Sequence, residues 1–216
     1  MDLPQIVFED DWLLAVNKPS GLMVHANPES NEPQDPNLQD LMSEGRKRRL
    51  ILFHRLDKDT SGVVLLGKRP EIGETMSKIF EEKRIRKAYY AIVSGVWSPS
   101  INRVECRLAR GERGRMMISD EGKPSLTTFR IFAKHPEKTW LEAMPKTGRT
   151  HQIRVHCASQ GHAILGDKLY GEPSENGLAL HAHRVDFAHP VTKNNLRIEA
   201  PVPTAWSTTW LKGFNK

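Results

Sequence analysis

The stretch HRLDKDTSG, residues 54–62, sets two carboxylates, two fixed cations and a histidine within nine positions. Asp57 follows Arg55 by two residues and precedes Lys58, and Thr60, Ser61 and Gly62 suit a tight hydrogen-bonded turn. Neighbouring cations favour the charged form of a carboxylate. An ionised carboxylate can act as a nucleophile at a sugar carbon, as a weak general base, or as an electrostatic stabiliser of a cationic sugar. The plainer alternative is an aspartate that caps a turn beside a surface ion pair.

A second stretch, KTGRTHQIRVH (146–156), suits a helix that starts near Thr150. Helical spacing then puts Arg154 on one face with Thr150, His151 and Ala158, and turns Ile153 and Cys157 elsewhere. An arginine cannot shed its charge, so on a partly apolar face it needs a carboxylate or phosphate. Asp57 is a candidate partner; the alternative is an arginine snorkelling over the core. In RKAYYAIVSG (86–95), Tyr89 and Tyr90 fall on opposite faces of a strand. An inward tyrosine offers a flat wall for stacking and a hydroxyl, or simply packs. His181 and His183 share a strand face, but no HExxH and no acidic partner at a metal-ligand spacing accompany them, so no metal is expected. Walker and GxGxxG loops are also absent from the sequence.

These groups need elements to hold them. QIVFEDDWLLAVNKPSGLMVH reads as two short strands around a turn, and residues 26–37 as a polar, Pro-rich loop. LQDLMSEG reads as a helical segment and SGVVLLGK as a buried strand. Ile72, Met76, Ile79 and Phe80 have helical spacing, which predicts an amphipathic helix opening at Pro70. AYYAIVSGVW is a predicted strand closed by Pro99. TTFRIFA and TWLEAM alternate as neighbouring strands. TGRTHQIRVHCASQG predicts a helix capped by Thr147 or Thr150 and stopped by Gly161. LALHAHRVDFAHP and NLRIEAP predict closing strands. Without regular strand–helix alternation, the fold class is α+β: a mostly antiparallel sheet with a few helices in one unit.

Bulk properties narrow the partners. The 216 residues carry a net charge of +6. The basic residues cluster in EGRKRRL (44–50), EEKRIRK (81–87) and RLARGERGR (107–115), a distribution that favours phosphate contacts. No run approaches the roughly 20 apolar residues of a membrane span, and the N-terminus lacks signal-peptide features. Cys106 and Cys157 cannot make a disulfide framework, which fits a reducing cytoplasm.

Taken in order, the motifs resemble the RluA-type family of pseudouridine synthases. VNKPSGLMVH (16–25) is similar to the family's opening segment, HRLDKDTSG to its HRLDxxTSG motif, KAYYAIVSG to its K-x-Y segment, and KTGRTHQIRVH to its basic motif. GHAILGDKLYG (161–171) and LALHAHRVDFAHP follow in the family's order. Ala163, Ser125 and Phe129 depart from the family's usual residues. The resemblance implies a bent, mostly antiparallel mixed sheet with flanking helices and a central cleft where Asp57, Tyr89 and Arg154 meet. It implies an RNA pseudouridine synthase acting on rRNA or tRNA. Asp57 is then the essential carboxylate, paired with Arg154, and Tyr89 stacks on the uracil. His54, Arg55, Arg149 and His151 are assigned to RNA contact and base flipping. The expectation is a single catalytic domain over 1–216, monomeric and cytoplasmic, with no cofactor, metal or membrane. No RNA-binding module is expected ahead of it, which keeps tRNA open as a target. Two other classes compete. DKDT (57–60) fits the DxDxT of Mg²⁺-dependent aspartate-nucleophile phosphatases, and a non-catalytic RNA-binding module would need no active carboxylate.

Overall fold

The computed structural model describes residues 3–26 and 36–214. Most of the polar loop expected over 26–37 lies outside the described residues. The chain divides into two compact units, Met1–Arg86 with His183–Pro201, and Lys87–Ala182 with Val202–Lys216.

In the first unit, β1 (Gln5–Glu9) and β2 (Leu13–Lys18) form the expected hairpin. Asp10 makes its turn by accepting the N–H groups of Trp12 and Leu13 on one carboxylate oxygen. After α1 (Leu38–Ser43), the short β3 (Ile51–Leu52) and β2 both pair antiparallel with β4 (Ser61–Gly67). Every residue of β4 is buried, as its unbroken apolar run predicts. The predicted amphipathic helix opens with a 3₁₀ turn at Pro70–Ile72 and continues as α2 (Gly73–Glu81). Its Met76 and Ile79 pack against Leu13, Val63 and Leu65, and burial of each such side chain contributes about 1.5–3 kcal/mol. The antiparallel pair β10 (Leu180–Ala188) and β11 (Asn195–Glu199) adds Val185, Phe187 and Ile198 to this core.

The second unit is an antiparallel ladder. β5 (Arg86–Ser94) pairs with β9 (Lys138–Pro145), β9 with β8 (Lys123–His135), β8 with β6 (Arg103–Arg110), and β6 with β7 (Met116–Ile118). β5 ends well before Pro99, because Gly95 takes φ +71° and turns the chain out of the ladder. Ala91, Val93, Leu141 and Phe129 form a core with Ile153 and Cys157 of α3 (Gln152–Ser159).

The α+β, mostly antiparallel class is the one the sequence predicts. No helix among the described residues is long and apolar enough to cross a membrane. Cys106 and Cys157 are free thiols, and burial pushes the Cys157 thiol well above its usual range.

Candidate active site

The carboxylate turn belongs to the first unit. Thr60 N–H donates to the Asp57 carbonyl at 3.1 Å, closing the tight turn expected there. Asp57 is half-buried and Arg55 exposed, while Leu56 and Thr60 are buried to either side. β4 starts directly after this turn at Ser61, and its second residue, Gly62, takes φ +114° while in register with Lys18 of β2.

What fixes the turn is a residue that the sequence reading passed over. Lys18 is fully buried, and its ammonium donates to the carbonyls of Pro19 (2.9 Å), Leu22 (2.8 Å) and Lys58 (2.9 Å). Three acceptors engage all three ammonium protons. Gly21 N–H also donates to Lys58 O, and Ser20 Oγ donates to Asp59 O. The KPSG loop therefore clamps the LDKD turn by its main chain. Burial pulls the Lys18 pKa down to about 7, against the opposing charges of Asp59 and Asp57.

His54 is held inside this unit. Its Nε2 accepts the Leu65 N–H at 2.9 Å, and its ring stacks on Phe80 with centroids 5.2 Å apart. A ring nitrogen that accepts a main-chain N–H must be unprotonated, so the neutral Nδ1–H tautomer is the one that fits. His54 thus ties the turn to β4. Arg55 Nη1 lies 3.5 Å from His25 Nε2, at the surface.

The arginine and tyrosine belong to the second unit. The cap of α3 differs from the expected threonine: His151 occupies the cap position at φ +53° and makes no side-chain capping bond. Thr147 is used otherwise, since its hydroxyl accepts Leu126 N–H and donates to Gln152 Oε1. Gln152 reaches back to accept the Arg149 N–H, and its amide donates to Leu126 O and Thr127 Oγ1. These bonds pin the start of the helix to β8. Arg149 Nε donates to Pro124 O at 3.1 Å.

Arg154 is 4% exposed. Its Nε and Nη2 each donate to Asp167 at 2.7 Å, a forked pair with a fully buried carboxylate. Burial works to raise the Asp167 pKa. The hydrogen bonds and charge of Arg154, with the N–H groups of Leu169 and Tyr170, outweigh it and hold the carboxyl below its usual value. Sequence reasoning did not single out Asp167. A signal was present: a buried arginine demands a carboxylate, and Asp167 is the sole acid between Glu142 and Glu172.

Tyr89 lies half-buried on β5 in register with Ala143, against the core that holds Ile153. Tyr90 faces the other way, its ring edge-on to Trp140 (5.1 Å) and Phe132 (5.3 Å). Of the proposed residues, His54, Arg55 and Asp57 thus share one turn, and Arg149, His151 and Arg154 share the start of α3. Among the described residues, no group of three His, Cys, Asp or Glu side chains is placed to hold a metal ion.

The model of the RNA pseudouridylate synthase family matches residues 12–159, which include both the carboxylate turn and α3. The chain belongs to this family. It is 39% identical over 207 residues to the ribosomal large subunit pseudouridine synthase C of Vibrio vulnificus, covering 91% of this chain and 65% of the relative. It is 38% identical to the synthase of the same name from Escherichia coli, with 91% and 66% covered. The chain thus spans just under two thirds of these relatives' length. The fold matches human RNA pseudouridylate synthase domain containing 1 at a TM-score of 0.80 and 25% identity, over 99% of this chain and 89% of that one. Human RNA pseudouridylate synthase domain containing 4 gives 0.77 and 25%, over 94% and 90%. The fold is therefore that of the pseudouridine synthases.

Proposed function

We propose that this chain is an RNA pseudouridine synthase that converts uridine in a structured RNA to pseudouridine, with Asp57 as the essential carboxylate. The relatives' names point to ribosomal large-subunit RNA as the substrate class. The observation that carries the reading is the clamp on the LDKD turn. A buried ammonium and two neighbouring polar contacts hold the main chain directly after Asp57, at Lys58 and Asp59, which restricts where the carboxylate can lie before substrate arrives.

Pseudouridine is an isomer of uridine. The N-glycosidic bond breaks, the uracil turns over, and its C5 bonds to the same sugar carbon. Atoms balance within the nucleotide, and no co-substrate is consumed. Asp57 acts on the ribose, by attack at C1′ or by taking the C2′ proton. Arg154, fixed by Asp167, supplies a permanent positive charge to the reacting centre. Tyr89 gives the detached uracil a wall to stack on and assists proton transfer at C5. The uridine has to leave its stack, at a cost of a few kcal/mol. Arg55, exposed two residues before Asp57, fills the vacated space, with Arg149 and His151 toward the RNA backbone and His54 holding the turn. The basic clusters bind phosphates, so affinity falls steeply with salt. We read the two units as one catalytic domain, acting as a cytoplasmic monomer without metal or cofactor.

The phosphatase alternative needs parallel strands alternating with helices, whereas the ladders described above are antiparallel. The deciding assay is tritium release from RNA carrying 5-tritiated uridine. Wild-type protein releases tritium, and Asp57→Asn releases none while still binding the RNA. Retained turnover in purified Asp57→Asn refutes the assignment.

A further inference from the structure

Tyr170, in the loop after α3, makes contacts to three separate parts of the second unit. Its hydroxyl accepts the N–H of Met116, the first residue of β7, at 2.7 Å. The same oxygen lies 2.9 Å from His151 Nδ1, and the two rings meet edge to face at 5.6 Å. Its ring lies beneath Arg154, with the guanidinium carbon 5.2 Å from the centroid. Its own N–H donates to Asp167, the carboxylate that grips Arg154.

The hydroxyl and the ring do different work. With Met116 donating to the oxygen, the hydroxyl proton is available for His151 Nδ1. That bond steadies a histidine in the left-handed region, a conformation costing a non-glycine residue about 1–2 kcal/mol. The His151 carbonyl accepts from Val155 N–H in the first turn of α3. On its other side the hydroxyl ties down the β6–β7 hairpin, which carries Arg107, Arg110 and Arg115. The ring supplies a cation–π face to a guanidinium that is almost wholly withdrawn from water, where such contacts are strongest.

We propose that Tyr170 is a positioning residue that joins the basic β6–β7 hairpin to the Arg154–Asp167 pair: its hydroxyl places the RNA-holding hairpin, and its ring places the guanidinium for chemistry. The proposal rests on the reading of this chain as an RNA pseudouridine synthase. The hydroxyl acts chiefly on KM through the hairpin, and the ring, nearer to Arg154 (5.2 Å) than to Arg115 of that hairpin (6.0 Å), acts chiefly on kcat. Tyr170→Phe deletes the hydroxyl and keeps the ring. Tyr170→Met fills much of the same volume without a π face, with Tyr170→Leu in its place should the methionine variant not fold.

The experiment is the tritium-release assay across RNA concentrations, with thermal unfolding of each variant alongside. Tyr170→Phe is expected to raise KM about fivefold, the scale of one or two lost hydrogen bonds, with kcat within about twofold of wild type. The ring-deleting variant is expected to lower kcat by about tenfold or more. A purely structural tyrosine gives a different pattern, in which both parameters decline in parallel with the loss of stability. That pattern, or a Tyr170→Phe enzyme indistinguishable from wild type, overturns the proposal while wild-type turnover leaves the functional reading intact. Wild-type protein that releases no tritium overturns the functional reading, and the proposal with it.

Discussion

Replacement of Asp167 by asparagine isolates the energetics on which the arginine side of the site depends. Asp167 Oδ1 accepts from Arg154 Nη2, Leu169 N–H and Tyr170 N–H, and Oδ2 accepts from Arg154 Nε. Asparagine can keep the first three by placing its oxygen at Oδ1. Its NH₂ group then faces Arg154 Nε–H, donor against donor, and the guanidinium is left charged at 4% exposure. Removing one partner of a buried ion pair costs about 3–5 kcal/mol. At about 2–4 °C per kcal/mol for a chain of this size, Tm should fall by roughly 6–20 °C. The loss should also depend on pH. Asp167 is held below its usual pKa in the fold. Its contribution is therefore complete above the unfolded carboxylate value of about 4 and is lost as pH falls through the lower folded value. Wild type and Asp167→Asn should accordingly converge in stability in acid. Calorimetry of both proteins from neutral pH into acid measures the gap directly. A Tm change below about 2 °C at neutral pH would contradict the assignment of Arg154 as a buried cation that needs this carboxylate.

The remaining predictions concern the two cations. Arg154→Lys replaces a planar fork with a point charge that cannot serve both oxygens of Asp167, and kcat for tritium release should drop by about tenfold or more; near-normal kcat would remove the need for the fork. Lys18→Met takes the donor from three carbonyls at once, so the LDKD turn should loosen and kcat should fall with RNA affinity little changed. Because burial lowers the Lys18 pKa to about 7, the cost of holding its charge is fully present below that pH and shrinks as pH rises toward the unfolded value. Wild type should therefore gain stability relative to Lys18→Met between neutral and alkaline pH in urea titrations, and a gap independent of pH would count against a buried titrating lysine.

Local signals were legible wherever one residue type had one physical use. The unbroken apolar run of β4, the helical spacing of Met76 and Ile79, and the alternation of Tyr89 and Tyr90 each appear in the structure as their periods require. The cap of α3 was not legible. Thr147 is a good capping residue in isolation, yet it bonds to β8, and Gln152 takes over the satisfaction of the nearby main chain. A polar side chain chooses among partners brought to it by distant strands, and spacing along one helix cannot rank them. The end of β5 shows the same limit on a smaller scale, because a left-handed glycine stopped the strand before the proline could.

By itself the sequence determined the fold class and the order of the motifs, because those follow from periodicity and from short runs whose residues are neighbours in the chain. Tertiary structure alone decided what holds the Asp57 turn and Arg154 in place. Lys18 lies 40 residues from Lys58, Asp167 lies 13 from Arg154, and Tyr170 lies 54 from Met116. Each of these supports is a buried polar contact whose partner is set by folding rather than by sequence spacing, and burial is what makes each one costly to leave unpaired.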